Sequence, residues 1–234
     1  MREPLVMAVA QPKCTSYDIT ANATTHADVV RSADARVVVF PELSLTGYEL
    51  DAPAITAADP RLAPIIQACA ATGSLALVGA PLRGVDGREH IAMLAIDGQG
   101  ARIAYRKMWL GTAEADRFTP GSRPAALKVA GWRLGLAICK DTGVPQHAAD
   151  TAACKIDVYV AGVCESADAA AILDERARRV AAEHHVWVAM ASFAGSTGGG
   201  FEPAVGRSAI WRRDGVMVAE AGSDAGELVR ATLS

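Results

Sequence analysis

Val37-Val38-Val39-Phe40-Pro41-Glu42 sets four apolar residues in unbroken succession before a proline and a carboxylate. A strand with one wet face alternates apolar and polar side chains, whereas a run without alternation belongs inside a sheet covered on both faces. Proline cannot donate to a strand ladder, so the strand stops there and leaves Glu42 at the rim of the sheet. Leu134-Gly135-Leu136-Ala137-Ile138-Cys139-Lys140-Asp141 repeats the arrangement, with a cysteine as the residue delivered at the end. Interior strands of this kind require helices or a second sheet over each face.

The flanking sequence supplies both. On the N-terminal side, residues 5–10 read as a strand and 18–33 as a helix leading to the strand at 37–40. Asp59-Pro60 opens a helix over 60–72, because an acidic cap and a proline without an N–H both suit a first turn. A strand at 75–79 follows, and 90–96 with 100–106 flank Asp97-Gly98, a dipeptide suited to a tight antiparallel hairpin. Beyond this, 127–130 and 134–138 turn at Gly131, and strands at 157–160 and 186–192 bracket a helix that begins after Ser166. On that helix Ile172, Leu173, Ala177, Val180 and Ala181 share one face, away from Asp174, Glu175, Arg178 and Arg179. A last hairpin joins 208–212 to 216–220 across Asp214-Gly215. The mixture indicates a layered α/β fold with a mixed sheet, and without internal repeats or a low-complexity linker residues 1–234 read as one domain.

Composition excludes several classes of function. Apolar residues form 51% of the chain and charged residues 21%, the balance of a globular protein. A formal charge of -3 without any Lys/Arg block offers no attraction to nucleic acid or an anionic membrane, which leaves small molecules as the expected partners. No apolar stretch reaches the roughly 18 residues of a membrane span. The apolar start at 5–10 is followed by Gln11-Pro12-Lys13 where a leader would carry small residues for cleavage. Five cysteines, at 14, 69, 139, 154 and 164, contain no C-x-x-C pair, which argues against a disulfide framework or structural zinc and fits a reducing cytoplasm. His26, His90, His147, His184 and His185 show no metal-binding spacing, so no metal is expected and they are assigned to the surface or helix ends. The glycine-rich segment 195–200 matches no phosphate-binding pattern and reads as a mobile loop near the pocket.

Three residues at strand ends carry the candidate chemistry. Burial would raise the pKa of Glu42 toward neutrality and suit it to shuttle protons; the alternative is a loop cap or an ion pair. Cys139, at a sharp strand exit, would present its sulfur and the next backbone N–H to one substrate atom; the alternative is a small buried hydrophobe, the class assigned to Cys14, Cys69, Cys154 and Cys164. Lys107 ends a hairpin strand in Tyr105-Arg106-Lys107, seven residues before Glu114. Held beside two carboxylates it stays protonated and meets an oxyanion; alone it is a solvated surface charge.

In order along the chain, Ala8-Val9-Ala10-Gln11, Phe40-Pro41-Glu42 with Gly47-Tyr48, and Tyr105-Arg106-Lys107 with Glu114, Phe118 and Pro120-Gly121 resemble the nitrilase or carbon–nitrogen hydrolase superfamily. The resemblance continues through Gly135-Leu136-Ala137-Ile138-Cys139-Lys140-Asp141, Pro145 and Gly206-Arg207-Ser208, and so covers nearly the whole sequence. It implies a four-layer αββα sandwich with mixed sheets, a Glu42–Lys107–Cys139 triad, and Glu114 as a second glutamate orienting Lys107 and substrate. It also implies a homodimer or higher homo-oligomer and no cofactor. Cys139 would attack an amide carbonyl while Glu42 takes the thiol proton, and Lys107 with the Lys140 N–H would hold the oxyanion; a thioester forms and water then releases the acid. Lys140, Tyr48 and Glu165 are the expected substrate contacts, the last two because each follows closely on a strand.

The sequence departs from the family's habit at Lys140, where an aromatic residue is common, at Gln146, where an acid is common, and at His184 and Ser192, where asparagine is frequent. Lys140-Asp141 in place of Trp-Glu favours an amidase or carbamoyl-amide hydrolase over a true nitrilase. An acyltransferase using the same thioester, and a non-catalytic binding protein on the same scaffold, are the other readings.

Overall fold

The computed structural model describes residues 2–234. Alternation along the strands sets its layers. In β1 (Leu5–Gln11), β2 (Val37–Val39) and β3 (Leu75–Arg83), Met7, Val9, Val37, Val39, Leu75 and Leu77 enter one apolar cluster, while Ala8, Ala10, Val38, Ala76 and Val78 enter another. Successive strand residues point to opposite faces, so this sheet is buried on both sides. One side packs on Ile19, Ala23, Ala27 and Val30 of α1 (Ile19–Ser32) and on Ile65, Ala68 and Cys69 of α2 (Ala63–Thr72). The other side meets a second sheet through Leu134, Leu136, Val158, Val160 and Ala189, which share one face by register.

The remaining elements are β4 (Glu89–Asp97), β5 (Gly100–Arg106), the short α3 (Thr112–Ala115), β6 (Ala125–Val129), β7 (Trp132–Ile138), α4 (Pro145–Ala153), β8 (Val158–Val163), α5 (Ala170–His184), β9 (Trp187–Ser192), the small pair β10 (Ala194–Gly195) and β11 (Ala204–Val205), β12 (Ala209–Trp211), β13 (Met217–Glu220) and β14 (Glu227–Leu233). The first sheet has the order β14-β1-β2-β3-β4-β5 and the second β13-β12-β9-β8-β7-β6. Each holds three parallel strands at its centre, β1-β2-β3 and β7-β8-β9, with antiparallel strands outside them. With α1 and α2 on one flank and α4 and α5 on the other, the result is a four-layer αββα sandwich of two mixed sheets.

Three details differ from the sequence reading. Strand β14, which pairs with β1 from Leu5↔Leu233 to Gln11↔Glu227, was not expected, because its residues are mostly polar or half exposed and its partner is distant in sequence. Helix α4 was not expected; it starts on Pro145 and buries little beyond His147, Ala148 and Thr151, so its apolar signal is weak. Ile172 is 47% exposed, because the inner stripe of α5 runs through Leu173, Ala177, Val180 and Ala181 and an adjacent residue lies about 100° around the helix. Among the described residues no helix is long and apolar enough to cross a membrane.

Candidate active site

Four strand exits meet where the sheets face each other. Glu42 follows β2, Lys107 follows β5, Cys139 follows β7, and Glu165 follows β8. Parallel strands place ligands beyond their carboxyl ends, because the crossovers leave a crevice there. The segment before and at Glu42 threads between two glycines, one from each sheet. A Cβ on Gly79 of β3 would lie 2.4 Å from the Pro41 carbonyl oxygen, and one on Gly162 of β8 would lie 2.7 Å from that of Phe40. Only a residue without a side chain permits so close a passage.

Buried polar groups of α1 hold the loop that follows. His26 donates from Nδ1 to the Asn22 carbonyl at 2.6 Å, so its Nε2 accepts from the Ser44 hydroxyl at 2.8 Å. Its ring stacks on Phe40 with centroids 4.2 Å apart, and burial lowers its pKa to about 4, which keeps it neutral. Asn22 donates to the Leu45 carbonyl at 3.0 Å.

Lys107 is the hub of the first charged group. Its Nζ donates to Glu42 Oε1 and to Glu114 Oε1, both at 2.7 Å, with all three side chains almost wholly buried. An ammonium has three N–H groups, so one remains for another acceptor. Glu114 is fixed in turn, its Oε2 accepting from Gly111 N at 2.7 Å and its Oε1 from the Tyr48 hydroxyl at 3.4 Å. The second oxygen of Glu42, Oε2, is buried without a hydrogen-bond partner. Burial, helped by the negative charges of Glu114 and Asp141 and opposed by Lys107, pushes the Glu42 carboxyl up to about 7. Burial alone would lower Lys107, but Glu42, Cys139 and Glu114 outweigh it, so the amine stays protonated.

Cys139 opens a 3-10 turn and takes a φ of 41°, a left-handed value that L side chains rarely adopt and that costs energy unless the surroundings impose it. Asp141 imposes it. Its Oδ2 accepts from Ile138 N at 2.9 Å and from the Tyr105 hydroxyl at 2.8 Å, while Oδ1 accepts from Met108 N at 3.2 Å and Trp109 N at 2.9 Å. One carboxylate thus binds the segment carrying the cysteine to the segment carrying the lysine. Because Asp141 accepts only, Tyr105 donates to it and accepts from His147 Nε2 at 2.9 Å, and His147 Nδ1 accepts from Tyr159 at 2.9 Å. Burial lowers the pKa of His147 and favours this neutral form.

The sulfur of Cys139 lies 3.3 Å from the Cys164 carbonyl oxygen and 3.8 Å from Glu165 Oε1. Among the described residues no hydrogen bond joins it to Glu42 or Lys107. Both act on it through space: burial and then Glu42 raise the thiol well above its ordinary pKa, while Lys107 opposes them. The resting group is therefore a thiol, and a base is needed to activate it.

Glu42, Lys107, Glu114 and Tyr48 thus form one hydrogen-bonded group, with Cys139 and Glu165 in contact beside it. Lys140 is set apart: its side chain is exposed and its ammonium donates to the Leu110 carbonyl at 2.7 Å. His26 and His147 are wholly buried rather than superficial, and His90 is nearly so; the first two are stable there because both nitrogens are bonded in the neutral form. Cys164, assigned as a plain hydrophobe, is buried and puts its carbonyl against the sulfur of Cys139. The loop at 195–200 comes down on Tyr48, with Gly198 N donating to the Gly47 carbonyl at 2.9 Å. The sequence reading assigned no role to Asp141, Tyr105, His147 or Arg176. For Asp141 a signal existed in its place two residues beyond the strand-ending cysteine.

Comparison with known proteins identifies the family and the fold. The sequence pattern of the carbon-nitrogen hydrolase family matches residues 6–234. The chain belongs to that family. This carbon–nitrogen hydrolase is 31% identical over 232 residues to the "Hydrolase in pqqF 5'region" of Pseudomonas protegens, a match covering 93% of this chain and 80% of the relative. It is 28% identical over 151 residues to an (R)-stereoselective amidase of a Pseudomonas species, covering 62% of this chain and 54% of that one. Among solved structures, the superfamily protein XC1258 of Xanthomonas campestris, which carries an arsenic adduct in its active site, superimposes with a TM-score of 0.88 at 20% identity, over 99% of this chain and 91% of its own. A glutamate-to-glutamine variant of the amidase of Nesterenkonia sp. AN1, with the acetamide moiety of fluoroacetamide added covalently at its active-site cysteine, gives 0.86 at 22% identity, over 98% of this chain and 90% of its own. Both likenesses concern the fold.

Proposed function

We propose that this carbon–nitrogen hydrolase cleaves a small amide or carbamoyl amide through a thioester on Cys139. The observation that carries the reading is the buried, unpartnered Oε2 of Glu42 beside a lysine with one uncommitted N–H, where the strand exits also bring a strained cysteine. Burial raises the Glu42 carboxyl to about 7, and a carboxyl with a pKa near neutrality can both take and return a proton.

The substrate carbonyl enters next to Sγ and its oxygen takes the free N–H of Lys107 and the backbone N–H of Lys140. Sγ turns from the Cys164 carbonyl toward Glu42 Oε2, gives up its proton and attacks the carbonyl carbon. The negative charge gathers on the oxygen facing Lys107. Collapse of the tetrahedral adduct breaks the carbon–nitrogen bond as Glu42 hands its proton to the departing nitrogen. Glu42, again a base, takes a proton from water as its oxygen adds to the thioester; the C–S bond then breaks, Glu42 returns the proton to the departing sulfur, and the carboxylic acid leaves with Cys139 restored as a thiol. Glu114 and Tyr48 keep the lysine aimed throughout.

A panel of small amides, carbamoyl compounds and nitriles assayed for ammonia release tests the proposal. Amide turnover is expected, to be abolished in Cys139→Ala without loss of fold. Unchanged turnover in that variant, or activity confined to nitriles, overturns it.

A further inference from the structure

Glu165 touches the reacting sulfur, yet the scheme above gives it no proton to move. Its side chain is 23% exposed, against 0% for Glu42 and 6% for Glu114, so it is the carboxylate of this group that faces solvent. Arg176 of α5 holds it through a single contact, Nη1 to Oε1 at 2.8 Å, and that same Oε1 lies 3.8 Å from Sγ. The other oxygen, Oε2, has no hydrogen bond among the described residues and is not one of the buried unpaired atoms. Gly143 leaves room for the arginine, since a Cβ there would lie 3.1 Å from Arg176 Nε and 3.2 Å from its Cζ. Guanidinium and sulfur both lie on Oε1, which leaves Oε2 of the carboxylate next to the sulfur without a partner among the described residues.

We propose that Glu165 Oε2 receives a substrate ammonium, so that the preferred substrates are amides bearing a protonated amine on the first or second carbon beyond the scissile carbonyl. This specificity rests on the reaction proposed above and goes beyond it. Once the acyl carbon is bonded to Sγ, a substituent one or two bonds further along lies level with the Glu165 carboxylate. A neutral alkyl group there strips water from an ionised oxygen and returns nothing, an anionic group is repelled, and an ammonium restores a charge-assisted hydrogen bond. The charges already present agree: Glu42, Glu114 and Glu165 stand against Lys107 and Arg176, while the ammonium of Lys140 is exposed and turned to the Leu110 carbonyl.

The test compares kcat/KM for alaninamide and β-alaninamide with that for neutral propionamide and anionic succinamate, in the wild type and in Glu165→Gln. At least one amino amide is expected to exceed propionamide by about 10–100-fold, with succinamate slowest, and the glutamine variant is expected to compress that ratio to about threefold or less. A wild-type ratio near one, a ratio unchanged in Glu165→Gln, or a preference for succinamate overturns the assignment. Labelling of Cys139 by 2-aminoethyl and 2-sulfonatoethyl methanethiosulfonates, read by peptide mass spectrometry, measures the same preference without turnover. The cationic reagent is expected to react faster with the wild type and to lose its lead in the variant; equal wild-type rates refute the proposal. Turnover of propionamide without any charge preference would remove the role of Glu165 and leave the thioester reaction standing, whereas a charge-selective Cys139 with no amide turnover would do the reverse.

Discussion

Replacing Asp141 by Asn removes one acceptor from a carboxylate that serves four donors, and the structure sets the cost. The Oδ1 position faces two backbone N–H groups, Met108 and Trp109, which cannot turn; the Oδ2 position faces one, Ile138, together with the Tyr105 hydroxyl. The asparagine oxygen therefore takes the Oδ1 position and its NH2 the other. Tyr105 can reverse and donate to His147, whose other nitrogen then donates to Tyr159, so the chain of bonds re-forms in the opposite sense. The Ile138 N–H has no such escape. One orphaned buried donor, plus the weakening of bonds that were charge-assisted, comes to about 2–4 kcal/mol, or about 5–15 °C in Tm for a chain of this size. The freed peptide is the one preceding Cys139, so its left-handed turn relaxes and kcat/KM drops by about 100-fold, the effect of misplacing a reacting group by an ångström. Scanning calorimetry with ammonia release on the best amide reads both quantities. A variant with a Tm within about 2 °C of wild type and an undiminished rate would refute the view that Asp141 locks the two segments together.

Other outcomes follow from the charges and the close packing. Glu42 has a folded-state pKa of about 7 against 4.5 for the free side chain, so the folded protein holds the extra proton in between. Its contribution to stability is complete below 4.5 and is lost as pH rises through 7, a fall of about 3 kcal/mol. Urea unfolding across that range should show the decline in wild type and a flatter profile in Glu42→Gln; parallel profiles would contradict the placement of the proton. Lys107→Gln deletes the charged donor proposed for the oxyanion and should lower kcat by about 100–1000-fold, while retention of more than a tenth of the rate in steady-state assays would assign that charge elsewhere. Gly162→Ala forces a methyl against the Phe40 carbonyl and should destabilise by about 1–3 kcal/mol, with a fall in kcat as Glu42 shifts; a Tm at the wild-type value would show that the backbone has room to yield.

What could be read beforehand was what local pattern encodes. The apolar runs at 37–40 and 134–138 announce interior strands, and the proline and the cysteine at their ends mark where the chain leaves the sheet, so the exits bearing Glu42 and Cys139 were visible. What depends on distant pairing was not. Strand β14 offers only the short apolar alternation Val229, Ala231, Leu233 among polar residues, and takes its register from β1. The neutrality of His26 and His147 depends on Ser44, Tyr105 and Tyr159, contributed by other elements. Arg176 looks like any outward charge on a helix, and only the folded chain reveals that Gly143 leaves it a place next to Glu165. Lys140 stands beside Cys139 in sequence but its side chain leaves in another direction, because the turn splays adjacent side chains apart.

Ownership of the reactive groups is divided: the acid and the lysine belong to one sheet, the sulfur and its carboxylate neighbour to the other. Neither half holds the whole of the proposed centre by itself, and a chain in which the layers have not yet closed has the proposed nucleophile without the proposed base. Activity is then a direct report on the docking of the two halves, more demanding than any spectroscopic measure of helix or strand content. Drift in the apolar seam between them could retune the rate while every reacting residue stayed the same.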